Sequence, residues 1–179
     1  MRKKSEKRQG LVYVFTGDGK GKTSAAIGVG VRAALSGMRV AMVCWYKEVK
    51  WQVSELELPK KIKNFEIFLS GKGFYKLPTD HVTLKEHKKK AGEALKKAND
   101  LVDKVDVLIL DEVNNAIKDG LIDLSDLIDL ISKRGETHLI LTGRRVSKKI
   151  VEMADLATEM KKIKHPFDHG VKAVKGLDF

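Results

Sequence analysis

Apolar positions fall into short continuous runs, separated by glycine-marked turns and by stretches with helical spacing. Leu11 to Phe15, Arg39 to Tyr46 and Val105 to Glu112 contain β-prone runs, the form expected of strands covered on both faces. Phe65 to Leu69, His138 to Thr142 and Leu156 to Met160 predict three shorter strands. Ser24 to Leu35 reads as a helix whose small side chains permit close approach to a sheet. Thr83-Leu84-Lys85-Glu86 fits a capping box, which starts a long helix to about Lys104. Val113 to Lys118 predicts a short helix stopped by Gly120, and Val146 to Met153 another. Leu124 to Lys133 places Leu124, Leu127, Ile128 and Ile131 on one face. Residues 47–64, interrupted by Pro59, fit neither period; Ser70 to Thr79 is a loop with Phe74-Tyr75 at its apolar centre.

Strands alternating with helices predict an α/β fold: three layers around a mostly parallel sheet of about six strands. Such sheets bind ligands beyond the carboxyl ends of their strands. That rim gathers the turn after Phe15, Trp45-Tyr46, the 70–79 loop, Asp111-Glu112 and Gly143-Arg144.

The turn is the part with a chemical signature. Thr16-Gly17-Asp18-Gly19-Lys20-Gly21-Lys22-Thr23, followed by Ser24, joins a strand to a helix start. Glycines let backbone N–H groups turn inward, and the helix end adds its positive dipole, so the segment is a phosphate cradle. Lys22 can reach phosphate oxygens and the Thr23 hydroxyl can hold Mg²⁺. The spacing departs from the general G-x-x-x-x-G-K-[ST] pattern, with Thr16 where the first glycine belongs and Gly17 and Gly19 inside the loop. The order Gly-Lys-Thr between strand and helix points to a nucleoside triphosphate. Asp111, ending an apolar strand, is the carboxylate expected opposite Thr23 on Mg²⁺. Glu112 has three candidate roles: metal ligand, positioner of a water, or solvated side chain. Arg144 is placed to contact phosphate or leaving group. Pro166 between His165 and His169 argues against a helix aiming both at one metal.

Composition narrows the setting. A chain of 179 residues suits one domain, 10–179, behind a basic and mobile tail at 1–9. No apolar stretch approaches the ~20 residues that span a bilayer. Cys44 is the only cysteine, so no internal disulfide can form and a cytoplasmic home is expected. The net charge of +11 concentrates in residues 1–10 and in Lys85 to Lys97, the latter with six Lys against two Glu. Neither segment interleaves aromatics for stacking on bases, which disfavours nucleic-acid binding.

Several blocks in order resemble the phosphate-loop type of ATP:corrinoid adenosyltransferase. They are Thr16 to Thr23 with its unusual glycine spacing, Gly71-Lys72-Gly73-Phe74, Leu110 to Asn114, Thr142-Gly143-Arg144, Ala154-Asp155 with Thr158-Glu159-Met160, and Lys164-His165-Pro166-Phe167 with Gly170 to Ala173 and Gly176 to Phe179. Together they cover most of the chain, residues 47–69 excepted. The resemblance implies a RecA-like sheet, a homodimer and an electron-donating reductase as partner. It implies transfer of the 5′-deoxyadenosyl group of ATP to a Co(I) corrinoid, with triphosphate leaving. In that family the triphosphate lies in the loop in the reverse sense to ordinary ATPases. Residues 16–24 would then hold ATP, and Lys20, Lys22 and Arg144 would stabilise the departing charge. Thr23, Asp111 and Glu112 would hold Mg²⁺, while Phe74 and Tyr75 would wall the corrinoid. Family members commonly read G-F-T-W where this chain has Gly73-Phe74-Tyr75-Lys76, so lysine stands at the tryptophan position. Two other readings compete: a phosphoryl-transfer ATPase or kinase on the same fold, and a basic nucleotide-gated module for nucleic acid.

Overall fold

The computed structural model describes residues 9–178 except 49, 52 and 79, so all but the last residue of the expected tail at 1–9 lies outside the described residues. Six strands form one parallel sheet: β1 Val12–Thr16, β2 Val40–Cys44, β3 Phe65–Leu69, β4 Val107–Asp111, β5 His138–Thr142 and β6 Leu156–Glu159. Their order across the sheet is β3-β2-β4-β5-β1-β6. Every pairing is parallel, as strands returned through crossovers must be.

Side chains alternate between two cores because strand residues point to opposite faces. Val40, Met42 and Cys44 join Ile109, Ile140 and Phe65 beneath α1 Lys22–Leu35 and α2 Leu58–Lys61. Ala41, Val43, Leu108 and Leu110 point the other way. That face is covered by α3 Leu84–Leu101, α4 Val113–Lys118, α5 Leu124–Lys133 and α6 Lys148–Met153. Close approach of α1 depends on Gly30, where an added Cβ would stand 2.8 Å from Ile109 Cδ1 and 2.9 Å from Phe65.

Helix α3 begins on the expected capping box: Thr83 accepts from the Glu86 N–H, and Glu86 Oε2 accepts from the Thr83 N–H. It ends at Leu101, short of Lys104. The buried Thr137 hydroxyl takes up the carbonyls of Val102 and Val105 and so turns the chain into β4. Among the described residues of 47–64 there is one 3₁₀ turn, Ser54–Glu57, running into the four-residue α2. Pro59 sits in the first turn of α2, where its missing N–H leaves no intrahelical bond unmade.

Candidate active site

The loop after β1 is shaped by its neighbour β6. The Gly19 N–H donates to the Met160 carbonyl at 2.6 Å. A Cβ on Gly17 or Gly19 would stand 2.4 or 2.6 Å from that oxygen. Gly17 also takes a φ of +100°, a region costly for other residues. The unusual glycine spacing therefore has a local cause: the loop is pressed against the end of an edge strand.

Lys22 opens α1 with only 7% of its surface exposed. Its ammonium donates to the Gly19 carbonyl at 2.7 Å and reaches across the loop. Burial lowers its pKa, while Glu112, Asp18 and Asp111 pull in the opposite direction. One residue on, the Thr23 hydroxyl donates to Asp111 Oδ1 at 2.8 Å. The Thr142 hydroxyl donates to the same oxygen at 2.8 Å and accepts from the Glu112 N–H. The start of α1 and the ends of β4 and β5 are thus knitted through one carboxylate, which is 1% exposed.

Glu112 is the carboxylate open to the site. Its backbone takes a φ of 64°, an uncommon conformation for a residue with a side chain. Its Oε2 is buried without a hydrogen-bond partner among the described residues. Burial first, and the adjacent Asp111 second, hold its pKa well above the ordinary carboxylate range.

Two cavities meet here. One of about 220 Å³ is bounded by residues 18–24, Glu112, Arg144, His165 and the chain end at Leu177-Asp178. A larger one of about 640 Å³ shares Thr23, Ser24 and Glu112 and extends past Ile27 and Lys47 to Trp51 and Phe74. The Arg144 guanidinium lies 4.0 Å from Asp18 Oδ1, and its backbone N–H donates to Asn115 Oδ1 at 2.6 Å. Lys20 pairs with Asp178, so the segment after Gly176 reaches across to the loop.

Most of the residues expected at the site converge on these cavities, but Thr16, Gly17, Asp111 and Tyr75 line neither of them. Asp111 stands behind Thr23. Tyr75 turns away from Phe74 and packs edge-on against His87, centroids 5.2 Å apart, instead of facing the large cavity. Phe74 does face it, stacked on Tyr46 at 5.3 Å and tilted toward Trp51 at 5.9 Å. Lys47 and Trp51 go unnamed in the sequence reading, while His165 enters it only as half of an unfavoured metal pair and, with Asp178, as part of the blocks that carry the family resemblance. Of the two unnamed residues, only Lys47 carried a readable signal, as a charged residue just beyond β2 on the ligand-binding rim.

The ATP:corrinoid adenosyltransferase BtuR/CobO/CobP profile matches residues 8–179. The chain belongs to this family. Among curated members, a corrinoid adenosyltransferase of Sinorhizobium sp is 35% identical over 96% of this chain and 81% of its own length. That of Pseudomonas aeruginosa is 33% identical over 96% and 84%. The corrinoid adenosyltransferase CobA of Salmonella typhimurium is 31% identical over 98% and 88%. Among solved structures, the flagellar accessory protein FlaH from Methanocaldococcus jannaschii superposes with a TM-score of 0.58 at 12% identity. It covers 84% of this chain and 70% of FlaH, a likeness of fold. No helix among the described residues is long and apolar enough to cross a membrane.

Proposed function

We propose that the chain transfers the 5′-deoxyadenosyl group of ATP to the Co(I) centre of a corrinoid, releasing triphosphate. The observation that carries this reading is the large cavity, which joins the phosphate-binding loop at Thr23 and Ser24 to an aromatic wall at Phe74 and Trp51. One continuous space therefore joins a phosphate-binding end to an aromatic end, against which a flat macrocycle would lie.

The chemistry asks little of side chains as acids or bases. Co(I) attacks C5′ with its own electron pair, the C5′–O bond breaks, and its electrons leave on the triphosphate. No proton moves in that step, so no general base is needed. What the protein supplies is alignment of C5′ with the metal, and stabilisation of charge growing on the departing oxygen. Lys20, Lys22, the loop N–H groups and Arg144, which line the smaller cavity, would provide it. The oxygen donors suit a hard cation: a Thr23 hydroxyl whose proton is engaged by Asp111, and the unpartnered Glu112 Oε2. Thr23 and Glu112 would hold Mg²⁺, with Asp111 orienting Thr23, and the ion would neutralise triphosphate charge. Phe74 would lie against the corrinoid. A homodimer, a reductase that supplies the electron and a cytoplasmic setting belong to the same proposal.

The test is an anaerobic assay with chemically reduced cobalamin and the β,γ-imido analogue of ATP. Adenosyl transfer breaks only the C5′–O bond, so the analogue should discharge the Co(I) absorbance as ATP does. A protein active with ATP but inert with the analogue would be cleaving the terminal phosphate instead.

A further inference from the structure

Lys47 lies beyond β2 with its side chain 16% exposed, and its ammonium is held between two carboxylates on different parts of the fold. One is Glu55, in the 3₁₀ turn Ser54–Glu57. The other is Asp111 Oδ2, 3.2 Å away. Burial works against the charge on Lys47, yet the Asp111 and Glu55 carboxylates outweigh it and keep the ammonium charged.

What these partners do gives the arrangement its meaning. Asp111 receives the Thr23 hydroxyl through its other oxygen and so belongs to the phosphate end of the cavity. Glu55 belongs to the segment that carries Trp51, Val53 and Leu58 along the cavity side, facing toward Phe74. Val53 is buried and Leu58 packs against the core beneath α1, so apolar contacts seat this segment, and the Lys47–Glu55 pair adds an ionic link from it toward Asp111. Lys47 is the ion that joins the two ends.

We infer that Lys47 is a positioning residue, tying the cavity wall of Trp51, Val53 and Leu58 to the Asp111–Thr23 pair so that phosphate grip and macrocycle wall keep a fixed spacing. The inference rests on the adenosyl-transfer reading. In-line attack depends steeply on separation, and misplacement by about 1 Å can cost 10²-fold in rate. Loss of the tie should therefore lower kcat while each substrate still binds.

The test uses the full-length chain with Lys47→Met, Lys47→Arg, Glu55→Gln and the double variant Lys47→Met/Glu55→Gln. Expected are a fall in kcat of roughly 10- to 100-fold for Lys47→Met and Glu55→Gln, with Mg·ATP affinity within about threefold of wild type. The double variant should be no worse than the poorer single one, because the pair acts as a unit, and Lys47→Arg should recover part of the rate. Additive losses, or an unchanged kcat in folded Glu55→Gln, would overturn the inference. Should Lys47→Met fail to fold, Glu55→Gln decides alone, since its side chain lies in the turn rather than beneath the sheet. A second readout needs no turnover: in a Trp45→Phe background, Trp51 emission should respond to Mg·ATP in the parent and lose that response in Glu55→Gln. Wild-type protein that binds Mg·ATP but forms no cobalt–carbon bond would remove the adenosyl-transfer reading. In that case the Trp51 response still tests the tie, and its persistence in Glu55→Gln would refute it.

Discussion

Thr23 and Asp111, 88 positions apart in the chain, are joined by a 2.8 Å hydrogen bond from the threonine hydroxyl to Oδ1. The direction of that bond matters. With its proton committed to Asp111, the hydroxyl turns its lone pairs toward the cavity, where a cation beside a triphosphate would lie. Thr23→Val keeps the shape and removes the donor. It should lower stability by about 1 kcal/mol and raise the Mg²⁺ concentration needed for half-maximal rate at least tenfold. Thr23→Ser should stay near wild type in both. Urea unfolding and a magnesium titration of the rate check the pair; equal magnesium dependence in Val and Ser variants would refute the role.

The glycines of the loop answer to Met160. Gly19→Ala puts a Cβ 2.6 Å from the Met160 carbonyl and should cost about 1–3 kcal/mol, with loss of nucleotide binding. Gly92→Ala, at a helix position with nothing within 4 Å, should instead stabilise by about 0.5–1 kcal/mol. Thermal unfolding with and without ATP separates the two.

Much of this architecture is legible in the sequence, for local reasons. The bounds of β3, α4, α5 and β5 follow from apolar runs and helical spacing alone, and glycine, lysine and threonine in one octet mark the phosphate loop. What escapes is set by contacts between distant segments. Nothing near Gly17 and Gly19 announces that Met160 presses on them. Lys47 gains its meaning only when Glu55 and Asp111 close around it. Tyr75 looked like a partner of Phe74 because adjacent aromatics read alike in a loop; the packing of His87 on α3 decides that it faces away. The 47–64 stretch was opaque because one 3₁₀ turn and a four-residue helix are too short to establish a period.

The loop that carries Phe74 is anchored through Asp80. Its carboxylate pKa is lowered from 3.8 to about 2, first by the hydrogen bond with His87 and then by the Val82 and Lys76 N–H groups. A depressed carboxylate contributes stability above its unfolded value and loses it as pH falls through the folded one. The stability difference between wild type and Asp80→Asn should therefore be fully present at pH 4–5 and disappear toward pH 2. Chemical denaturation across that range measures it; a difference unchanged from pH 5 to pH 2 would contradict the anchor.

Phe74 is 40% exposed and faces the large cavity. Phe74→Ala should leave the reaction from pre-reduced Co(I) within about threefold of wild type. Reactions beginning from Co(II) should slow at least tenfold if, in the proposed site, the aromatic face covers one side of the corrinoid and keeps a ligand off the metal during reduction. Parallel assays from the two oxidation states check this, and equal losses in both would assign Phe74 to binding alone.

The most direct measurement is the fate of the phosphates. Purified protein, ATP, magnesium and chemically reduced cobalamin are mixed without oxygen, and the products are followed by phosphorus NMR and by the cobalt–carbon absorbance. Intact triphosphate, released one for one with the adenosylated corrinoid, is the predicted result. ADP and orthophosphate, with no cobalt–carbon bond formed, would contradict it.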